Sequence, residues 1–102
     1  MNRKPKYTIE EIRQRVVPVA KRHGVKRVYL FGSYARNEAR AKSDVDLRID
    51  SGDLKGYFAL GGLYNDLEKS LKIKVDLLTT CALEEKFLKN IEKEEMLLYE
   101  RP

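Results

Sequence analysis

A Gly-Ser pair and an Asp-x-Asp triplet lie close together in the first half of the chain. Gly32 and Ser33 are followed, after ten residues, by Asp44 and Asp46. A glycine lets the backbone turn tightly, and the amides and hydroxyl that follow it can donate hydrogen bonds to phosphate oxygens. Two neighbouring carboxylates repel each other and favour a divalent cation as counter-ion. The segment therefore predicts a site that handles a nucleoside triphosphate together with Mg²⁺.

A third carboxylate that could complete such a site lies further along the chain. Sites that hold two metal ions clamp both oxygens of a phosphoryl displacement, and they usually need one more acidic ligand. Asp76 interrupts an apolar stretch, and Val75 and Leu77 leave the opposite face of the strand predicted there. A carboxylate in such a strand is costly unless it is paired or binds a metal. Asp76 is therefore the candidate third ligand, beside Asp44 and Asp46.

Basic side chains follow the Gly-Ser pair closely. Arg36, Arg40 and Lys42 lie near enough in sequence to help neutralise a triphosphate. A Gly-Ser pair or an Asp-x-Asp triplet alone is weak evidence, and the prediction rests on their occurrence together. We therefore predict a nucleotide-binding segment that includes Gly32, Ser33 and Arg36.

Alternating helices and strands must bring these residues together. A capping box, helical apolar spacing and a terminal glycine predict a first helix over residues 9–23, kinked at Pro18. Further helices are predicted over residues 34–40, 54–71 and 83–91, and strands over residues 25–31, 44–50, 73–79 and 95–100. Within residues 44–50 apolar and polar side chains alternate, so Asp44 and Asp46 leave the same face. This order predicts an α/β (α+β) fold with helices packed on a sheet.

Length and charge limit the number of domains and the kinds of partner that the chain can have. With 102 residues, the chain is predicted to form one domain, residues 1–102, of which residues 1–6 are a flexible basic tail. The net charge is +5, and residues 1–42 carry twelve basic against three acidic side chains. This excess suits an anionic partner such as nucleotide phosphates, RNA or an acidic protein face, or it is a solvated surface. The absence of a long apolar run and of a signal peptide predicts a soluble, cytoplasmic protein.

Three further side chains are assigned to packing or to the surface. Cys81 is the only cysteine, which excludes an intrachain disulfide, and we predict it as a small packing residue. Tyr57 is predicted to be buried or half-buried on the apolar stripe of the helix over residues 54–71. His23, near a helix C-terminus, is predicted as a surface group.

One stretch of the chain resembles a known signature. LFGSYARNEARAKSDVDLRID, with KVDLLT further on, resembles the pattern of the polymerase-beta-like nucleotidyltransferases, which is GS, ten residues, then DxD. The compact length and element order are similar to the minimal nucleotidyltransferase branch of that superfamily. A protein of this branch is often the antitoxin of a pair with a HEPN-domain toxin. The resemblance implies a nucleotidyltransferase core, which is a small mixed sheet with helices packed on it.

The resemblance also assigns roles by position. It implies that Asp44 and Asp46 bind two Mg²⁺ ions and that Asp76 completes the catalytic metal site and helps activate the attacking hydroxyl. Gly32 and Ser33 would bind the triphosphate of ATP. The reaction would transfer AMP from ATP to a hydroxyl and release pyrophosphate. In antitoxin relatives the acceptor is a tyrosine hydroxyl on the partner toxin, whose RNase activity is thereby blocked. The resemblance therefore leads us to expect a protein adenylyltransferase of a type VII-like toxin–antitoxin system that forms a complex with its toxin.

Two positions depart from the family pattern. Asn37 stands where the family usually has glycine. Since Asn tolerates left-handed backbone better than most residues, we expect the turn to survive. Arg48 stands where the family usually has an apolar residue, and alternation places it on the face of Asp44 and Asp46. We expect Arg48 either to pair with Asp50 or to lie beside the metals and weaken their binding.

These departures leave a second interpretation open. The protein could be an antitoxin that neutralises its toxin by binding alone, with a catalytically weak site. RNA binding through the basic N-terminal third is a weaker third hypothesis, because no motif of aromatic and basic residues accompanies the charge. We therefore do not expect nucleic acid as a direct ligand.

Overall fold

A computed structural model describes residues 4–102, and its elements alternate as the sequence predicts. In chain order they are α1 (Ile9–His23), β1 (Arg27–Phe31), α2 (Gly32–Ala35), β2 (Val45–Asp50), α3 (Gly56–Leu71), β3 (Val75–Thr79), α4 (Glu85–Glu92) and β4 (Met96–Glu100), with a 3-10 turn, Thr80–Ala82, before α4. Apart from α2, every predicted element lies within two residues of the observed bounds at each end.

The predicted helix over residues 34–40 is wrong in extent. α2 covers only Gly32–Ala35, and the chain leaves the helix because Asn37 adopts left-handed backbone with φ 61°. The Asn37 amide still donates to the Tyr34 carbonyl at 3.2 Å, which closes the turn. The expectation that Asn37 would accept this conformation is confirmed.

The four strands form one mixed sheet in the order β3-β2-β1-β4. β1 is antiparallel to β2 and β4, whereas β2 and β3 are parallel. One face carries α1 and α3, which pack on each other and on the sheet. The core between them is built from aliphatic side chains of both layers: Ile12, Val16, Val19, Leu30, Val45, Leu47, Ile49, Leu63, Leu67, Leu71 and Val75. The predicted α/β fold with a small mixed sheet is confirmed.

The first helix is capped as the sequence predicts. The Glu11 amide donates to Thr8 Oγ1 at 3.0 Å, and the Thr8 amide donates to Glu11 Oε1 at 2.8 Å. Gly24 ends the helix with φ 70°, and the helix is continuous through Pro18. A helix fixed at both ends gives the sheet a firm layer to pack against.

Two packing predictions are wrong. Cys81 is exposed, since it lies on the turn after β3. Tyr57 is 93% exposed, because it lies in the first turn of α3, whereas the buried residues of that helix, Leu63, Leu67 and Leu71, lie in its later turns. His23, predicted as a surface group, is partly buried, and its Nε2 lies 2.7 Å from Asp66 Oδ2.

The structure describes part of the predicted N-terminal tail. Of the tail predicted over residues 1–6, residues 1–3 lie outside the described part, while Lys6 Nζ donates to the Lys72 carbonyl at 3.2 Å. Within residues 4–102, no helix has the length and apolar character needed to cross a membrane.

Candidate active site

The register of three neighbouring strands gathers the predicted site. Phe31, the last residue of β1, pairs with Asp46 on β2, and Asp46 pairs with Asp76 on β3. Paired residues point to the same face of a sheet, so both carboxylates leave the face opposite α1 and α3, which we call the open face. Gly32 follows Phe31 directly, and Asp44 precedes β2. The turn and the acidic residues therefore meet at one end of the sheet.

Gly32 touches the Asp46 side chain directly. A Cβ atom placed on Gly32 would overlap Oδ2 of Asp46, and the Gly32 backbone has φ +75°. Both facts require glycine, because any other residue would collide with the carboxylate and strain the backbone. The sequence therefore positions the turn against the metal-binding candidate rather than merely near it.

Asp46 is a half-buried carboxylate with two other carboxylates nearby. Burial is the main cause that raises its pKa to about 7, followed by a hydrogen bond with Asp76 and the charges of Asp76 and Asp44, while Arg36 acts in the opposite direction. Asp76 is exposed on its edge strand, so the burial cost that the sequence suggested for it does not arise. A divalent cation would relieve the repulsion between these carboxylates.

The three predicted metal ligands lie at the same end of the sheet but do not surround one point. Asp44 Oδ2 lies 3.8 Å from Lys74 Nζ on the neighbouring chain segment. Along residues 4–102, no three acidic, His or Cys side chains form a ready-made metal cluster. Asp46 and Asp76 nevertheless lie opposite each other on neighbouring strands, and oxygen ligands of this kind suit Mg²⁺. The residues present fit the ion that the sequence predicts.

A cleft opens beside the carboxylate pair. It measures about 440 Å³ and is lined by side chains of the sheet, α3 and α4: Phe31, Asp46, Tyr64, Lys74, Val75, Asp76, Leu77, Leu78 and Phe87. A cavity of about 460 Å³ lies beside Tyr7 and Tyr34 but contains none of the predicted ligands, so its size does not make it the site of chemistry. The cleft of about 440 Å³ contains two carboxylates beside aromatic side chains, and it has room for a side chain or a nucleotide fragment.

The predicted phosphate-binding turn holds a carboxylate that sequence reasoning missed. The Gly32 amide donates to Glu94 Oε1 at 3.3 Å, and Arg36 Nη1 lies 3.1 Å from both Glu94 oxygens. Arg36 Nε also donates to Glu38 at 2.8 Å. Arg40 and Lys42, predicted to help neutralise a triphosphate, are exposed. Glu94 is 62 residues from Gly32 in sequence, so no local pattern could indicate the contact.

Comparison with known proteins shows the family. Residues 14–102 match the family model for polymerase beta nucleotidyltransferases. The chain belongs to the polymerase beta nucleotidyltransferase family. The predicted family and enzyme class are confirmed, and the fold described above is the core of this nucleotidyltransferase.

Relatives of the nucleotidyltransferase match most of its length. A candidate protein adenylyltransferase of Methanocaldococcus jannaschii is 44% identical over 71 residues, which cover 70% of this chain and 76% of that protein. Protein adenylyltransferase MntA of Thermococcus cleftensis is 33% identical over 91 residues, covering 85% and 92%. The solved complex of a tri-AMPylated Shewanella oneidensis HEPN toxin with an MNT antitoxin contains a chain with a TM-score of 0.70 and 18% identity, covering 91% of this chain and 73% of that chain. That likeness shows the fold.

Arg48 does not lie free beside the acidic residues of the nucleotidyltransferase. Its guanidinium donates twice to Glu95, at 2.9 and 2.6 Å, and once to Thr80 Oγ1 at 2.6 Å. It stacks on the Tyr29 ring at 4.1 Å, and only 6% of the side chain is exposed. The expected pairing with Asp50 exists at 3.6 Å, but Glu95 is the closer partner, which sequence reasoning missed. The charge of Arg48 is therefore matched away from the metal-binding candidates.

Proposed function

We propose that this nucleotidyltransferase transfers AMP from ATP to a tyrosine hydroxyl of a partner HEPN toxin and so acts as its antitoxin. The observation that carries the proposal is the Asp46–Asp76 pair, which lies against the Gly32 turn and faces a cleft with aromatic walls. A carboxylate in a cleft whose pKa is raised by burial and by a charged neighbour is a candidate for a functional site.

Asp44 and Asp46 are the residues that would hold two Mg²⁺ ions, with Asp76 completing the catalytic site. Bound Mg²⁺ would offset the carboxylate charges and polarise the phosphoryl oxygens. Asp76 would accept the proton of the attacking hydroxyl, and its exposure to the cleft and its pairing with Asp46 support this role. In the reaction the hydroxyl oxygen bonds to the α-phosphorus, the bond from that phosphorus to the β-phosphate breaks, and pyrophosphate leaves.

Gly32, Ser33 and Arg36 are the donors proposed for the triphosphate. The Gly32 amide and the Arg36 guanidinium already bind one carboxylate together, so both point at a common anion position. Ser33 is partly exposed next to Gly32, where its hydroxyl can add one more donor. Phosphates bound at this turn would lie beside Asp46, because Gly32 touches that side chain.

A tyrosine acceptor on a toxin is supported by the cleft and by the relatives. The rings of Phe31, Tyr64 and Phe87 line the cleft and can flank an aromatic side chain. One relative is named as a protein adenylyltransferase, and a structural neighbour belongs to a complex with an AMPylated HEPN toxin. The protein and its toxin would form a hetero-oligomer in the cytoplasm.

Labelled ATP tests this proposal. The purified protein is incubated with Mg²⁺, labelled ATP and the proposed partner HEPN toxin, and mass spectrometry locates the label. We expect AMP on a toxin tyrosine with the wild type and none with Asp46→Asn or Asp76→Asn. Asp53→Asn is the matched control, since Asp53 is an exposed aspartate paired with Arg101. An unlabelled toxin in a stable complex with the wild-type protein would refute AMP transfer.

A second candidate function is neutralisation by binding alone. The contact of Glu94 with Gly32 and Arg36 favours it, because a carboxylate of the protein itself occupies the anion position proposed for the triphosphate. A growth assay in cells that express the toxin distinguishes the two functions. If Asp44→Asn, Asp46→Asn and Asp76→Asn variants still rescue growth fully, binding alone suffices; if all three fail while remaining folded, catalysis is required.

A further inference from the structure

One carboxylate holds both donors of the predicted phosphate-binding turn. Glu94 Oε1 accepts from the Gly32 amide at 3.3 Å and from Arg36 Nη1 at 3.1 Å, while Oε2 lies 3.1 Å from the same guanidinium nitrogen. A backbone amide has one hydrogen to donate. A phosphate oxygen and the Glu94 carboxylate therefore cannot both accept the Gly32 hydrogen bond.

The backbone at the corner between α4 and β4 holds Glu94 in place. The Glu94 and Glu95 amides both donate to the Ile91 carbonyl, at 3.1 and 3.0 Å, and Ile91 is buried. The next side chain, Glu95, is bound by the buried Arg48. The backbone under Glu94 is thus anchored from two sides, and only its side chain has to rotate for the turn to become free.

The contact is strong enough to affect ligand affinity. Hydrogen bonds between ionised groups are about twice as strong as neutral ones. The Glu94 side chain is 27% exposed, so the pair with Arg36 is partly shielded from water. When a ligand must displace such a contact, its apparent affinity is its intrinsic affinity multiplied by the fraction of molecules in which the site is open.

We propose that Glu94 is an internal competitor for the triphosphate. Its carboxylate binds Gly32 and Arg36 in the nucleotide-free protein and leaves when ATP binds, so this residue sets the affinity for the nucleotide. The inference rests on the proposed ATP site and adds the residue that keeps this site closed.

Inorganic tripolyphosphate and ATP test the inference in a Glu94→Gln variant. Glutamine keeps the shape of the side chain but removes the charge. We expect Glu94→Gln to bind tripolyphosphate and Mg·ATP roughly tenfold more tightly than the wild type in calorimetry. The Gly32 amide signal in NMR spectra should move on tripolyphosphate addition in both proteins. Glu92→Gln, at an exposed position at the end of α4, is the charge-matched control and should stay within about twofold.

Each other outcome counts against the inference. Unchanged affinity in Glu94→Gln would show that the carboxylate does not compete. Weaker binding would show that Glu94 positions Arg36 for the nucleotide, and a Gly32 signal that moves in neither protein would show that the turn binds no phosphate chain. Tighter tripolyphosphate binding supports the inference even if no AMP is transferred to a toxin. AMP transfer by the wild type, with unchanged affinity in Glu94→Gln, overturns the inference and leaves the proposed function intact.

Discussion

Gly32 and Asp46 pack so closely that a methyl group on Gly32 would overlap the Asp46 carboxylate. The turn proposed to bind phosphates and the carboxylate proposed to bind a metal are therefore in direct steric contact. Antiparallel pairing of Phe31 with Asp46 creates this contact, because it brings the end of β1 to the start of β2. If both proposals hold, the sheet itself sets the distance between the phosphate chain and the metal ligands.

Gly32→Ala should abolish AMP transfer. The new Cβ would displace the Asp46 carboxylate, and misplacement of a reacting group by about 1 Å can cost roughly 100-fold in rate. The positive φ of Gly32 adds a loss of stability of about 1–2 kcal/mol. Initial rates of label transfer and urea unfolding curves measure the two effects separately.

Gly56→Ala is the matched control for Gly32→Ala. Gly56 has φ +82°, but an added Cβ would meet no described atom within 4 Å. We expect a similar strain cost with full transfer activity. Equal loss of activity in both variants would show that backbone strain, and not the contact with Asp46, explains the defect.

Strand patterns in the sequence predict much of this site, because they are local. The alternation of apolar and polar residues in β2 correctly places Val45, Leu47 and Ile49 in the core and Asp46 on the other face. The spacing between the Gly-Ser pair and the aspartates predicts their proximity for the same reason. One strand, one turn and the next strand determine their positions.

The partners of the charged residues could not be predicted in this way. Arg48 and Glu95 are 47 residues apart, and Gly32 and Glu94 are 62 apart. Both contacts depend on where the corner between α4 and β4 comes to lie on the open face, which no local pattern encodes. Tyr57 could not be predicted for a related reason. It shares the helical phase of Tyr64 and Leu71, but which turns of a helix the rest of the fold covers is not a local property.

Asp46→Asn should stabilise the metal-free protein at pH 8. The pKa of Asp46 in the fold is about 7, above its ordinary value of 3.8, so the folded state holds a proton that the unfolded chain releases. Stability from this group is fully present below about pH 4 and is lost as the pH rises through about 7. We expect Tm of the variant in EDTA to exceed the wild-type Tm by a few degrees at pH 8, and the difference to shrink towards pH 5.

Mg²⁺ provides the control for the Asp46 prediction. A cation that binds only the folded state raises its stability by mass action. At pH 8, Mg²⁺ should therefore raise the Tm of the wild type and have little effect on Asp46→Asn. A variant that is less stable than the wild type at pH 8 without metal would contradict the assigned charge repulsion.

Arg48→Met should destabilise the protein without touching the chemistry. The Glu95 side chain is only 10% exposed and would be left buried and unpaired, which costs about 3–5 kcal/mol. The double variant Arg48→Met with Glu95→Gln should recover most of that loss and retain Mg²⁺ affinity. Urea unfolding of the two single variants and the double variant measures the coupling. Tighter Mg²⁺ binding by Arg48→Met, with no loss of stability, would instead place Arg48 in the metal site.

Asn37→Gly should leave AMP transfer unchanged. Its free energy of unfolding should stay within about 0.5 kcal/mol of the wild-type value, because Asn already tolerates the left-handed conformation at φ 61°. Lys72, with φ 57° at the end of α3, provides the comparison. Lysine tolerates this conformation less well, so Lys72→Gly should stabilise the protein by about 1 kcal/mol. Thermal unfolding of both variants measures the difference. If Asn37→Gly gains as much stability as Lys72→Gly, asparagine is strained at this turn; if it loses AMP transfer, the Asn37 side chain has a role of its own in the site.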